Sequence, residues 1–314
     1  MNKPVIIICG ATASGKTAIA SHLCREIQGE IISADSRQIY RHLDAGTNKS
    51  GTYDAEKRMR FTPEGVPQHL TDLLDPDEYF SAGDFVREAL RIINELFEAG
   101  KTPVVTGGTG MYLRALVHGL APMPERNDSI RLELKDTLKQ HGVEYLCREL
   151  EKIDHVSAGK NGRNPQRIIR AIEVYRLTGK PISALQAATV KPKFKFVQFA
   201  ADWSREDLNS NINNRAKAML GSGMIEETRK ALARGYGKSS PGLGSLGYGH
   251  VIDHVSGLIS LEQTIDRVAL DTRHYAKRQL TWFRKEADLR WIKTGKDLFI
   301  PSEIAAKIKN AVKI

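Results

Sequence analysis

Val5–Cys9 is an unbroken apolar run, VIIIC, that closes on Gly10. A short β-branched run with no polar alternation predicts a strand buried on both faces, as in a parallel sheet. A helix is predicted after it, over roughly residues 16–27. EIISADS, residues 30–36, predicts a second strand ending at Asp35 and Ser36. TPVVTGG, residues 102–108, predicts a third, preceded by a helix over roughly 82–98. Ser81 with Asp84 three residues on marks the start of that helix as a capping box. KFVQFAAD, around 195–202, predicts a fourth strand. Strands alternating with helices predict a parallel sheet that binds ligands at the carboxyl ends of its strands.

Between about 120 and 192 the strand signals stop. Asn127 or Asp128 can cap a helix with Ile130, Leu134 and Leu138 on one face. Asn164 and Pro165 start another, with Ile168, Ile172 and Tyr175 inward and Gly179 and Pro181 at its end. After the fourth strand come two strong helices, one from a Ser204/Asp207 box carrying Leu208, Ile212 and Met219, the other from Ser260 with Gln263.

The first strand runs into Gly10-Ala11-Thr12-Ala13-Ser14-Gly15-Lys16-Thr17, which matches the phosphate-binding loop G-x-x-x-x-G-K-[ST] in its proper strand–loop–helix context. Backbone N–H groups of the loop and of the helix start would hold a diphosphate, Lys16 would neutralise it, and Thr17 would reach Mg²⁺. The fold class that follows is α/β, a P-loop NTPase-like parallel core over 1–119 and 193–314 with a helical insertion domain over 120–192. No acid ends the third strand, which runs into Gly107-Gly108-Thr109-Gly110; the acid is Asp35, on the second. A carboxylate there can take a proton from an incoming nucleophile or hold metal; the plainer role is to cap the next helix. The GGTG segment predicts a second anion nest with the Thr109 hydroxyl as donor.

A formal charge of +10 exceeds what a neutral metabolite requires and predicts a polyanionic partner, nucleic acid first. The three cysteines, Cys9, Cys24 and Cys147, form no CxxC, which predicts a reducing compartment without disulfide or zinc. No apolar run approaches the roughly 18 residues of a membrane span, so a soluble cytoplasmic protein is expected. Arg273, Lys277 and Arg284 share one helical face, and His274, Arg278 and Lys285 the adjacent one. Tyr275, Trp282 and Phe283 interleave them, which favours nucleic-acid binding over a merely solvated face. His250 and His254 stand four apart with no third metal ligand in evidence.

In order along the chain come GATASGKT, DSRQIYRHLDAGTNK, GGTGMYLRAL, NPQRIIRAIEVYRLTGKP, NNRAKAMLGSGMIEE, GYG and AKRQLTWFR. This series resembles the tRNA dimethylallyltransferase family over about residues 4–290. The resemblance implies transfer of a dimethylallyl group from dimethylallyl diphosphate to N6 of the adenosine 3′-adjacent to the anticodon. It implies that the P-loop holds the diphosphate of that donor rather than ATP, and that the tRNA anticodon stem-loop is the partner. Asp35 then matches the base that activates the amine. Lys16, the loop amides, Mg²⁺ on Thr17 or Ser14, Thr109 and Arg215 would stabilise the departing diphosphate. Asp35, Ser36, Arg37 and Gln38 would face the extruded adenosine; Arg131 and the stretch Gln166, Arg167, Ile168, Ile169 and Arg170 would meet RNA from the insertion; and the AKRQ helix would line the channel. One departure is Gly247-Tyr248-Gly249-His250, where the family usually places a basic residue after the Gly-Tyr pair. A monomer is expected.

Three other readings are open to the sequence: an adenylate isopentenyltransferase acting on free AMP, a P-loop kinase for a small metabolite, and a non-catalytic RNA-binding protein with a relic loop. Label transfer to AMP, ATP consumption, or indifference to loss of Asp35 would mark each in turn.

Overall fold

The structure, a computed structural model, describes residues 4–313. Eight strands form one sheet: β1 (Val5–Cys9), β2 (Gly29–Ser33), β3 (Thr52–Asp54), β4 (Met59–Phe61), β5 (Pro67–His69), β6 (Thr102–Gly107), β7 (Phe196–Asp202) and β8 (Leu289–Lys293), in the order β3-β4-β5-β2-β6-β1-β7-β8. From β5 to β8 neighbouring strands are parallel, and β3 and β4 add an antiparallel edge. The four strands expected from the sequence are its centre. β2 stops at Ser33, so Asp35 and Ser36 lie in the loop beyond it. The edge strands β3 to β5 are three residues each and largely polar, TYD, MRF and PQH, too short for a period-2 signal.

β1 is the most deeply buried strand, every side chain at most 1% exposed. Its neighbours are β6 and β7, with Ile6 opposite Val104 on one side and Val197 on the other. The order of strands reverses around it, and in such sheets the crevice at that point takes the ligand.

The helices are α1 (Lys16–Ile27), α2 (Ala82–Glu98), α3 (Gly110–His118), α4 (Asp128–Ile153), α5 (His155–Asn161), α6 (Pro165–Thr178), α7 (Ile182–Ala187), α8 (Arg205–Met219), α9 (Ile225–Ala233), α10 (Tyr248–Val255), α11 (Leu261–Phe283) and α12 (Pro301–Val312). A π-helical turn over Leu220–Met224 joins α8 to α9. α1 and α12 cover one sheet face, where Ile19, Leu23, Ile304 and Ile308 pack on Ile6, Ile8 and Ile31. Each such side chain contributes about 1.5–3 kcal/mol on leaving water. Two of the three expected capping boxes form in full: Ser81 Oγ accepts from Asp84 N–H while Asp84 accepts from Ser81 N–H, and Ser260 and Gln263 do the same for α11. Ser204 caps α8, but Ala216 rather than Met219 completes its buried face.

The chain divides into two compact units, Met1–Leu116 with Lys193–Ile314, and Val117–Pro192. The second is helical, and its core joins Leu134, Leu146 and Leu150 of α4 to Ile168, Ala171 and Val174 of α6. Asn127 caps α4, Asn164 caps α6, and Gly179 ends α6 in the left-handed region. Tyr175 is half-exposed, and Ala171 and Val174 take the inward places beside Ile168 and Ile172. No helix among the described residues is long and apolar enough to cross a membrane.

Candidate active site

The loop after β1 turns through left-handed backbone at Ala13 and Gly15, and α1 begins at Lys16 with no side chain capping it. The first-turn N–H groups of α1 are therefore left for an anion, with the positive end of the helix behind them. They open on a cavity of ≈ 520 Å³ at the carboxyl edge of the sheet, whose wall includes Thr12, Lys16, Thr17, Asp35, Arg215 and Gln279.

Three cations line this space, Lys16, Arg215 and Arg37. Lys16 Nζ donates to the Ala11 carbonyl at 2.5 Å, folded back on its own loop. Burial lowers its ammonium to about 8, against the pull of the Asp35 carboxylate. Arg215, on α8, bonds the Thr12 hydroxyl. Burial lowers its guanidinium too, again opposed by Asp35. Arg215 lowers the Lys16 ammonium further, but by less than Asp35 raises it, and Asp35 is the one acid in the cavity wall among the described residues. An incoming polyanion would relieve Lys16 and Arg215 at once.

Asp35 follows β2. Its Oδ1 accepts from Arg37 N–H at 2.9 Å, closing a local turn where the plainer reading expects a helix cap, while the side chain remains in the cavity wall. Arg37 and Gln38 also line the wall. Arg37 donates to the Pro241 carbonyl at 3.1 Å, and Gln38 spans from Ser33 to the Thr47 and Asn48 carbonyls. Ser36 and Thr109 differ from expectation. Thr109 Oγ1 accepts from Ser36 N–H at 3.1 Å, Thr109 N–H donates to Ala34, and neither residue lines the cavity. The Thr109 hydroxyl ties the two loops together.

The GGTG glycines answer to packing. A Cβ on Gly108 would lie 2.2 Å from Gln279 Nε2, and one on Gly110 would lie 2.4 Å from Trp282 Cδ1. The segment is smooth so that α11 can press on it. That approach puts Gln279 between two loops: its Oε1 accepts from Thr12 N–H and its Nε2 donates to the Gly108 carbonyl, both at 2.8 Å. Tyr275, one turn earlier, also lines the cavity, with the Arg278 guanidinium 5.7 Å from its ring centre. Burial, and next the Asp35 charge, push its phenol up to about 12. Sequence reasoning had no signal for Gln279 beyond its place in the AKRQ block.

The opposite wall, residues 46–48, is held from behind. Glu227 accepts from the N–H groups of Asp44, Ala45 and Gly46 at 2.8, 2.9 and 2.6 Å, and from Tyr248 OH at 2.7 Å. This is the role of the Gly-Tyr block. Its atypical His250 pairs with Asp271 at 2.9 Å, and His254 Nδ1 meets the Ile259 carbonyl. A basic cavity of ≈ 360 Å³ lies elsewhere on α11, lined by Arg114, Lys277, Arg278 and Lys285 around Trp282. Arg273 is turned to Asn213.

In the helical unit the QRIIR stretch is split by its own helix. Gln166 and Arg167 are exposed. Ile168 and Ile169 are 0% and 7% exposed and belong to the core, so the expectation that they touch RNA is corrected: they hold α6 in place. Arg131 and Arg170 are committed to Glu173, Arg131 in a two-pronged pair at 2.9 Å and Arg170 at 2.7 Å. Glu173 is fully buried; burial alone would raise its carboxyl, but the two arginines and the Asn127 N–H hold it below the ordinary range.

For a metal, Thr17 and Asp35 supply oxygen donors in the wall. Ser14 does not: its hydroxyl is buried without a hydrogen-bond partner and lies outside the wall. No group of three or more His, Cys, Asp or Glu suited to a metal occurs among the described residues. Such a sparse set fits a Mg²⁺-like ion shared with the phosphates of a ligand, and no ion that needs a protein cage.

Comparison with known proteins is consistent along the whole chain. The family model for IPP transferase matches residues 38–286, and that for isopentenyl transferase matches residues 3–62. A tRNA dimethylallyltransferase of Endomicrobium trichonymphae is 44% identical, with 91% of this chain and 93% of the relative covered. One from Acetivibrio thermocellus is 41% identical, with coverage of 95% and 94%. The full-length tRNA isopentenylpyrophosphate transferase of Bacillus halodurans superposes with a TM-score of 0.69 at 34% identity, covering 100% of this chain and 97% of that one. A eukaryotic dimethylallyltransferase solved acting on tRNA superposes with a TM-score of 0.81 at 25% identity, covering 98% and 78%.

Proposed function

The chain belongs to the IPP transferase family, and on that premise we propose that it is a tRNA dimethylallyltransferase. It moves the dimethylallyl group of dimethylallyl diphosphate to N6 of the adenosine 3′-adjacent to the anticodon, in tRNAs reading codons that start with U. The products are N6-isopentenyladenosine and diphosphate. The observation that carries the reading is one cavity with an anion nest and three cations, Lys16, Arg215 and Arg37, beside the Asp35 carboxylate.

The chemistry calls for that pairing. The N6 lone pair is delocalised into the adenine ring, so the amine is a weak nucleophile. As it bonds to C1 of the allyl group, the C1–O bond breaks and its electrons leave with the diphosphate. Asp35 takes the N6 proton. The amides of residues 15–17, Lys16 and Arg215 receive the charge that grows on the leaving oxygen, in a site that excludes much of the water. Thr17 would hold Mg²⁺, which would add charge neutralisation at the diphosphate. The base reaches the cavity by leaving the anticodon stack, with Arg37 and Gln38 in the wall that meets it. Exposed Gln166 and Arg167 serve the tRNA from the helical unit. The protein acts as a monomer in the cytoplasm.

The test uses labelled dimethylallyl diphosphate, Mg²⁺ and unmodified tRNA, with AMP and ATP in parallel. Label in tRNA, and a loss of about 10²–10⁴ in kcat for Asp35→Asn with tRNA affinity kept, is the expected result. Label in AMP at a comparable rate, or ATP hydrolysis without transfer, overturns it.

A further inference from the structure

The P-loop is braced from behind by two rings that none of its motif residues foreshadows. Trp203, just past β7, donates its indole Nε1–H to the Ser14 carbonyl at 3.2 Å. Phe299, between β8 and α12, packs on Trp203 with ring centres 5.1 Å apart and planes tilted 43°. The tip of the Phe299 ring rests on Gly15: a Cβ at that position would lie 1.9 Å from Phe299 Cζ. Gly15 itself sits at φ 77°, where a side chain is strained in any case. Phe299 lies beyond residue 286, where the match to the IPP transferase model ends.

The geometry bears on one peptide plane. The Ser14 carbonyl and the Gly15 N–H belong to the same trans peptide and point in opposite directions. Tying the carbonyl to Trp203 turns the N–H away from the indole, toward the side of the loop that lines the cavity. Without the brace, Gly15 has wide freedom to rotate that plane. Phe299 blocks the rotation by filling the space behind the Gly15 Cα, and it keeps Trp203 in place by contact. Trp203 in turn packs with Ala13 of the loop and Leu208 of α8, so the brace is anchored to the layer that carries Arg215.

We infer that Trp203 and Phe299 are positioning residues for the donor, aiming the Gly15 amide at the diphosphate of an allylic diphosphate. The inference rests on the proposed function for its ligand. It assigns the C-terminal segment a part in donor binding in addition to its place in the core.

The probe is inorganic diphosphate with Mg²⁺, titrated calorimetrically into wild type, Trp203→Phe, Phe299→Ala and Phe299→Leu, with KM and kcat for dimethylallyl diphosphate and tRNA measured alongside. Trp203→Phe keeps a ring and removes only the N–H. We expect Trp203→Phe and Phe299→Ala to weaken diphosphate binding about tenfold, the scale of one hydrogen bond to an anion. KM for the donor should rise in step, KM for tRNA should stay, and Phe299→Leu should recover most of the loss. Unchanged diphosphate affinity in variants that remain folded, or a lower melting temperature with donor KM untouched, refutes the inference and leaves the function standing. Failure of wild type to bind diphosphate at all removes the functional reading and the inference together.

Discussion

Replacing Gln279 by Met keeps the volume of the side chain and deletes two hydrogen bonds. The Thr12 N–H loses its acceptor and the Gly108 carbonyl its donor, each from a 2.8 Å bond. Gln279 is 6% exposed, so neither group is simply handed to bulk water. A buried polar group left without a partner costs about 1–3 kcal/mol. Two such groups would cost about 2–6 kcal/mol, and because Thr12 adjoins the cavity, where water can enter, the lower half of that range applies. At roughly 2–4 °C per kcal/mol for a large domain, the melting temperature should fall by about 4–16 °C. Differential scanning calorimetry reads this directly. Gln279→Glu separates the two bonds: its carboxylate can still accept from Thr12 N–H but meets the Gly108 carbonyl with like charge, so it should melt no higher than the Met variant. Activity should fall in both, because the loop and the GGTG segment lose their common tie. A Met variant that melts within about 1 °C of wild type would show that the bridge contributes nothing and would sink this account of why α11 approaches two glycines so closely.

Lys16 gives a pH prediction. Its folded value is lowered from 10.5 to about 8, so the free protein holds the charged lysine only below about pH 8. Diphosphate needs that charge, so affinity should be level below pH 8 and fall as pH rises through it, while Lys16→Met should lack that pH-dependent component; an identical profile in both proteins refutes the assignment. In folding the sign is opposite: the unfolded chain binds more protons between about 8 and 10.5, so this group makes stability rise with pH over that interval. Glu173→Gln should destabilise the helical unit by about 3–5 kcal/mol, since Arg131 and Arg170 are left facing a neutral amide. Because the folded value is depressed, the contribution is complete above the ordinary 4.5 and lost as pH falls below it, and acid titration of wild type and variant by circular dichroism should converge at low pH. Glu227→Gln should leave the fold intact but free the amides of Asp44, Ala45 and Gly46, whose hydrogen-exchange protection should fall at least about tenfold, as expected for bonds to an anion; unchanged protection would mean that the carboxylate is not what holds that wall.

What the sequence revealed was whatever is settled locally. VIIIC has no reading but a doubly buried strand, the P-loop carries its own spacing, and Ser81 with Asp84 or Ser260 with Gln263 cap their helices through bonds three residues apart. What it concealed depends on partners far along the chain. Gln279 stands in a run of charges and reads as surface until Thr12 and Gly108 are brought to either side of it. Phe299 is the middle of an apolar Leu298-Phe299-Ile300 run and has nothing to mark it out until it meets Gly15. Thr109 reads as a free donor because nothing local shows that Ser36 will use its hydroxyl. Ile168 and Ile169 are a different case. The helical period already places Ile168 inward with Ile172, and carrying the QRIIR stretch over as a block obscured that. Glu173, one acid on the inward face of the same helix, was the signal that its neighbouring arginines had a partner at home.

The order of the strands has a consequence for how the protein comes off the ribosome. β1 emerges well before its two neighbours, which come only at 102–107 and 196–202. Between those arrivals the contiguous stretch 117–192 appears, with a core made entirely from its own helices. Its contacts are local and form quickly, whereas the sheet must hold one side of β1 open until β7 is made. The nest behind β1 waits longer still, for Gln279 and then Phe299. The residues that bind the phosphates are therefore synthesised well before the ones that hold them in shape.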